Sequence, residues 1–276
     1  MAFAVTAILE AVLLAVPLAL GDSFALFAAQ LRPLGASSFT ALTAVWFTVA
    51  SGAILLPALV AGFQFPLLVG LLGRGDDAVG KHVGQAYAFN TLGAIAGSLA
   101  GGFGLIPLMG AVGAWRLMVI TMAGVGVVAV FWGWRENRRM GAWVGLGAAV
   151  ALAMASSPGP SAVWRHTAIG AGRSALSTLD GVALEDRMQE IRRSILWETD
   201  GVESSIALQS LNGHAFVIHG KVDGHALGDA PTNLWLGLLP TLLHPNPQQV
   251  LVIGLGTGQT AGWAAAVPTV HTVDVV

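Results

Sequence analysis

The residues of this chain best suited to hold a ligand lie near its end, in the run Gly254-Leu255-Gly256-Thr257-Gly258-Gln259-Thr260-Ala261. A glycine-rich turn between a strand and a helix lets a ligand come close to the backbone, and the start of the helix supplies N–H groups with no intrahelical acceptor. The same run satisfies the dinucleotide pattern G-x-G-x-x-A. At the level of the glycines alone, three readings stay open: a nicotinamide dinucleotide, another nucleoside-bearing ligand, and a structural turn that binds nothing. Asp274, in the strand that follows, is a candidate for holding ribose hydroxyls. Its place inside that strand, with Val275 and Val276 still to come, suits a structural or edge role better. Seven histidines invite a metal reading, with His214, His219 and His225 closest together. Their spacing matches no zinc pattern and the chain has no cysteine, so they read as hairpin histidines and no metal is expected.

The elements that must position the glycine turn follow from local pattern. Gln249-Val250-Leu251-Val252-Ile253 is a continuous apolar run of the kind buried in a parallel sheet. A short helix to about Ala266 and a strand over 269–276 complete one βαβ unit. Upstream, Asp229 is expected to cap a helix with Pro231 in its first turn, ending near His244 before Pro245-Asn246-Pro247. Before that, Ile195–Thr199, Val202–Gln209 and His214–His219 read as strands of a small β-meander. Asp200-Gly201 and Asn212-Gly213 are dipeptides that favour the positive φ of tight hairpins.

The first half of the chain has a different composition. The 276 residues are 55% hydrophobic and only 10% charged, with a mean hydropathy of +0.72, against roughly 25% charged in soluble domains. Up to Trp134 the charged side chains are only Glu10, Asp22, Arg32, Arg74, Asp76, Asp77, Lys81 and Arg116. A bilayer crossing needs about 20 apolar helical residues. Candidate spans are 2–20, 39–72, 83–109, 112–134 and 141–157, giving four to six crossings. Pro57, Gly62 and Pro66 are expected to split the long 39–72 run or to kink it. The first segment carries Glu10 and no basic n-region, so it reads as a retained span and not a signal peptide.

Gly93, Gly97 and Gly101 repeat at four-residue spacing, which suits close helix packing within a membrane. A sharper reading has Tyr87 and Asn90, with Glu10, lining a polar path, because ionisable groups inside spans are costly and often functional. Arg74, Lys81, Arg135, Arg138 and Arg139 fall on one side of the membrane, which the positive-inside rule makes cytoplasmic. A crossing by 141–157 would then put the C-terminal part outside, where a cytosolic ligand is absent. That part carries its own Arg165, Arg173, Arg187, Arg192 and Arg193, so 141–157 either crosses or turns back. Net charge is −2, pI is about 6.4, and no basic stripe interleaves with aromatics, so nucleic acid is not expected as a partner.

The stretch from Thr199 to Gly258 resembles spermidine synthase and its aminopropyltransferase relatives. The resemblance rests on an ordered series: strands ending in His219-Gly220-Lys221-Val222-Asp223, a helix, Leu239-Pro240, then His244-Pro245-Asn246-Pro247-Gln248-Gln249-Val250-Leu251-Val252-Ile253-Gly254. Tyr87–Gly97 and Gly102–Gly110 resemble the membrane region fused ahead of the synthase domain in a bacterial subfamily. Together the two cover about half the chain. The resemblance implies multi-pass membrane helices over 1–157, a connector over 158–193, a small β domain over 194–228, and the start of a Rossmann-like nucleoside-binding domain over 229–276. It implies a bacterial inner membrane, with the lipid bilayer, a small polyamine and a second copy of the chain as partners.

The implied reaction is displacement at carbon. An amine such as putrescine attacks the methylene beside the sulfonium of decarboxylated S-adenosylmethionine, and an aspartate serves as general base. Gly254, Gly256, Thr257 and Gly258 match the family's nucleoside-holding turn. Thr232 and Asn233 stand where the soluble enzymes carry a Tyr-Gln pair, and Thr257 stands where they carry Asp. Thr232 offers no aromatic wall, whereas Asn233 can still donate and accept. The ribose carboxylate and the catalytic aspartate are expected beyond Val276, so residues 1–276 are expected to be inactive alone. The departures keep other readings open: an enzyme using intact S-adenosylmethionine in the manner of a methyltransferase, a transporter-like membrane protein with a nucleoside- or polyamine-sensing domain, and, on G-x-G-x-x-A alone, a nicotinamide-dependent oxidoreductase.

Overall fold

A computed structural model describes residues 1–72, 79–133, 138–166 and 181–276. Arg74, Arg135 and Arg173, which entered the orientation argument, lie outside them. The chain divides into two compact units, one built on Met1–Trp164 and one built on Ser204–Val276 with the helix and strand that precede it.

The first unit is helical: α1 (Ala2–Leu20), α2 (Asp22–Leu31), α3 (Phe39–Leu72), α4 (Val79–Leu99), α5 (Ile106–Gly133) and α6 (Arg138–Ala155). Among the described residues, three stretches are long and apolar enough to cross a membrane: Ala2–Leu20, Phe39–Leu72 and Val79–Phe131. A shorter apolar helix covers Arg139–Ala155. The proline-rich run does not break, because α3 is one helix of 34 residues with Pro57 and Pro66 inside it. The run expected over 83–109 contains a π-helical segment, Ala100–Leu105, and it meets the run expected over 112–134 at a kink at Gly110, whose φ of 72° only glycine takes readily. Between α1 and α2 the chain turns at Gly21, φ 51°.

Small side chains on one face of α1 decide its packing. Ala4, Ala11 and Ala15 share one face with Ile8, all three at most 1% exposed, and with Ile8 they form the centre against α5 and α6. An added Cβ on Gly126 would stand 2.7 Å from Ile8, and one on Gly147 only 2.5 Å. Close backbone approach through small residues is how helices associate when lipid removes the hydrophobic drive. The glycines expected to do this are not the ones that do. Gly93, Gly97 and Gly101 have no neighbour within 4 Å of a built Cβ, so that face of α4 and the π segment meets no other described residue closely.

Polar groups at one end of this unit satisfy one another. The Arg116 guanidinium donates to the carbonyls of Ser157 (2.6 Å) and Pro158 (2.8 Å), placing a cation at the C-terminal end of α6. Asp22 accepts from the Ser161 N–H at 2.8 Å and its hydroxyl at 2.7 Å. The turn-rich punctuation at Ser156–Pro160 thus ends α6, as its composition suggests.

The second unit opens with α8 (Gly181–Ser194), after the short α7 (Ala162–His166) at the end of the first stretch. Leu184, Met188 and Ile191 form the buried stripe of α8. An antiparallel sheet follows in the order β1 (Ile195–Asp200), β2 (Ser205–Ser210), β3 (His214–Ile218), β4 (Lys221–His225). The meander is therefore present with one strand more than the sequence suggested. Asn212 and Gly213 take the expected positive φ, 56° and 116°, and Ala207 pairs with Val217 in the hairpin they close. The second tight turn is His219-Gly220, φ 49° and 74°, which sends the chain back as β4; Asp200-Gly201 takes no left-handed residue. Alternating period and a glycine turn were both legible at 214–225, but Lys221 and Asp223 on an exposed strand disguised it as a loop.

Beyond the sheet, α9 (Ala230–Leu243), β5 (Gln249–Val252), α10 (Gln259–Ala265) and β6 (Thr272–Val275) complete the unit. β5 and β6 are parallel, pairing Val250 with Val273 and Leu251 with Asp274. Asp229 precedes α9 but its carboxylate does not cap it, correcting the expectation. It accepts instead from the His225 N–H at 2.7 Å and so binds the end of β4 to the helix start. Pro231 sits in the first turn, where a missing N–H costs nothing. α9 and α10 cross at Gly237, where a Cβ would meet the Thr260 carbonyl oxygen at 2.5 Å.

Candidate functional site

The glycine turn connects β5 to α10, and its backbone depends on its residue types. Gly254, Gly256 and Gly258 have φ of 87°, 52° and 75°, all in the region that disfavours side chains. Nothing lies within 4 Å of a Cβ built on Gly254 or Gly256, so packing does not demand glycine there. What these two positions need is the positive φ, and what they leave is open space over the backbone. Gly258 is the N-cap of α10, and its N–H closes the turn onto the Leu255 carbonyl at 2.8 Å. The Gly254 N–H donates to the Val276 carbonyl at 2.6 Å, fastening the turn to the chain after β6.

Of the other residues singled out in the sequence, Asn233 is brought to the turn and Thr232 is not. The Asn233 amide donates to the Thr257 hydroxyl at 3.4 Å and its carbonyl accepts from the Thr260 hydroxyl at 3.5 Å, both long bonds. Thr232 is exposed on α9. Asp274 faces Leu251 across the pair of strands, two residues short of Val276, which is the residue level with the turn. His225 accepts from the N–H groups of Leu227 (3.2 Å) and Gly228 (2.9 Å) through Nδ1, so this ring nitrogen builds the loop after β4. Among the described residues no three His, Asp or Glu side chains converge on one point.

The small sheet meets the turn directly. A Cβ on Gly224 would stand 3.0 Å from Thr257 Cγ2, and Gln259, the first residue of α10, donates to the Ala226 carbonyl at 2.6 Å. A β-bulge between Phe216 and Val217 falls opposite this contact. Between sheet and turn lies a cavity of about 340 Å³ whose walls include Trp197, Phe216, Ile218, Asp223, Gly224 and Gly256. It offers two aromatic faces, a carboxylate and a bare backbone turn. The Lys221 ammonium donates to the Asp223 carboxylate at 2.5 Å, so that carboxylate already accepts a cation. A larger groove of about 840 Å³ runs along β5 beside α9 as far as Gly254, and no carboxylate lines it.

Trp197, Phe216 and Asp223 did not stand out in the sequence. Their one available signal was the His219-Gly220 turn, which implies a returning strand and so a sheet face that carries Phe216 beside Asp223. Glu198, on the adjoining strand position, accepts from the Arg165 guanidinium and is 2.8 Å from His166 Nε2. This half-buried cluster ties α7 to β1. No family model matches the chain, and neither the curated proteins nor the solved structures contain a match to it.

Proposed function

We propose that the protein is a membrane-anchored enzyme of the aminopropyltransferase type, resembling spermidine synthase. In this reading it holds decarboxylated S-adenosylmethionine at the Gly254–Gly258 turn of a Rossmann-like domain and transfers the aminopropyl group to an amine such as putrescine. The observation that carries the reading is the placement of the open, positive-φ glycine turn against a cavity that pairs Trp197 and Phe216 with the Asp223 carboxylate. Backbone N–H groups at the turn and the start of α10 suit a nucleoside's polar atoms. Aromatic faces suit a purine or a sulfonium, through stacking and cation–π attraction. The Asp223 carboxylate, shared with the Lys221 ammonium, suits the ammonium and sulfonium charges that this co-substrate brings. The protein's own contribution is to bind, orient and screen from water; the leaving methylthioadenosine is the chemistry of the co-substrate.

The apolar helices α1, α3 and α4–α5 support a place in the lipid bilayer, and we assign the chain to a multi-pass protein of a bacterial inner membrane. One observation favours a second reading. Thr257, where the soluble enzymes carry Asp, turns its hydroxyl to Asn233, so the group that would mark the decarboxylated co-substrate's amine is missing. Intact S-adenosylmethionine, used by a methyltransferase-like enzyme or sensed by a transporter-like protein, is the ligand in that case. Titration of the purified chain with both sulfonium compounds tests the choice. Tighter binding of the decarboxylated form supports aminopropyl transfer, tighter binding of the intact form supports the second reading, and binding of neither removes both.

A further inference from the structure

We infer that Glu10 and Gln64 form an exchangeable proton site inside the membrane region, a reading independent of the glycine turn. α1 has 19 residues, a length of about 28 Å at 1.5 Å per residue, which matches a bilayer's hydrocarbon core. Glu10 is near its middle, so its carboxyl lies near the membrane midplane. Gln64, only 9% exposed on α3, donates its amide N–H to Glu10 Oε2 at 2.6 Å.

An amide is both donor and acceptor. Its N–H can serve a carboxylate, and after a half-turn about the last side-chain bond its carbonyl can accept the O–H of a carboxylic acid. The one contact thus holds Glu10 in either protonation state, which an Arg or Lys partner would not. Two acceptors are one helical turn or less away along the chain. The Leu13 carbonyl would be bonded by residue 17 and the Gly62 carbonyl by residue 66, and both of those residues are prolines without an N–H. Each can accept a hydrogen bond from a water that carries the proton to or from Glu10.

Among the described residues, no charged side chain bonds to this pair. α2, α3, α5 and α6 pack on α1. Their charged residues are Asp22 on α2, Arg116 on α5, and Arg138 and Arg139 on α6, while α3 has none. Asp22 is engaged by Ser161, Arg116 by the Ser157 and Pro158 carbonyls, and Arg139 is exposed at the start of α6. Ionisable side chains within spans mark proton or ion pathways more often than packing sites. The polar path through Tyr87 and Asn90 takes another form here: Tyr87 packs edge-on against Phe65 at 4.8 Å between centroids, and Asn90 is exposed.

The test uses the 276-residue chain in phosphatidylcholine vesicles. Infrared difference spectra between wild type and the isosteric variant Glu10→Gln read the carboxylic acid band, and labelling with dicyclohexylcarbodiimide followed by peptide mass spectrometry reads the same proton chemically. Circular dichroism confirms that the variant keeps its helices. The expected result is an acid band that disappears as pH rises, a Glu10 adduct that falls in parallel, and a midpoint displaced by Gln64→Leu. A band that is absent or unchanging across the pH range, a midpoint indifferent to Gln64→Leu, or loss of the adduct on adding sodium at constant pH would overturn the assignment.

Discussion

Gly147 on α6 lies so close to Ile8 on α1 that a Cβ there would stand 2.5 Å from Ile8 Cγ2, whereas Gly97 on α4 has nothing within 4 Å. Two glycines in apolar helices therefore answer the same substitution with opposite signs. Gly147→Ala must displace a β-branched side chain with one favoured rotamer, and overpacking of this kind costs about 1–3 kcal/mol. Gly97→Ala meets no neighbour and gains helix propensity of about 1 kcal/mol. Thermal unfolding in detergent followed by circular dichroism is expected to fall for the first and to hold or rise for the second. Equal responses would mean that α1 and α6 do not pack through this contact.

The α9–α10 crossing makes a similar claim in the second unit. A Cβ on Gly237 meets backbone, the Thr260 carbonyl at 2.5 Å, which cannot swing aside as a side chain can. Gly237→Val is expected to destabilise the unit by about 1–3 kcal/mol, read as a lower denaturant midpoint by tryptophan fluorescence. A wild-type midpoint would contradict the crossing.

How much of this was readable beforehand differs between elements. Most short-range signals held: Asn212-Gly213 has the positive φ of its turn type, Pro245-Asn246-Pro247 ends α9, and Ser156-Ser157-Pro158 ends α6, whereas Asp200-Gly201 takes no positive φ. Where a residue has two uses, reading it locally failed. Asp229 has the composition of a cap, but the nearby His225 N–H takes its carboxylate. The Gly93/Gly97/Gly101 stripe has the spacing of a packing face, but spacing says nothing about which helix arrives, and Gly126 and Gly147 meet Ile8 instead. The Glu10–Gln64 bond spans 54 residues, and no local pattern carries such information. In the candidate site the glycine turn was legible because its chemistry is contiguous, while Trp197, Phe216 and Asp223 come together only through the register of a four-stranded sheet.

Asp223 separates charge recognition from shape recognition. If its carboxylate attracts the charged end of the co-substrate, Asp223→Asn weakens decarboxylated S-adenosylmethionine by about 1 kcal/mol, near fivefold, as suits a partly exposed pair. Neutral methylthioadenosine, which shares the nucleoside, is expected to bind the variant as it binds wild type. Equal losses for both ligands in equilibrium dialysis would assign Asp223 a structural role.

Trp197 and Phe216 test the stacking surface. Trp197→Ala removes one aromatic wall of the cavity, and a lost stacked base is worth about 1–3 kcal/mol in comparable settings. Binding of methylthioadenosine is expected to weaken by tenfold or more, about 1.4 kcal/mol, with the sheet's circular dichroism unchanged. Unaltered affinity would move the nucleoside out of this cavity.

The most direct measurement is calorimetric titration of the purified chain and of its Gly256→Val variant with decarboxylated S-adenosylmethionine, methylthioadenosine and NAD. At φ 52° a β-branched residue is strained, and its side chain would fill the open space over the turn. The account predicts saturable binding of both adenosine compounds by the wild-type chain, loss of both in Gly256→Val, and no binding of NAD. Binding of NAD alone, or adenosine binding that survives Gly256→Val unchanged, would contradict it.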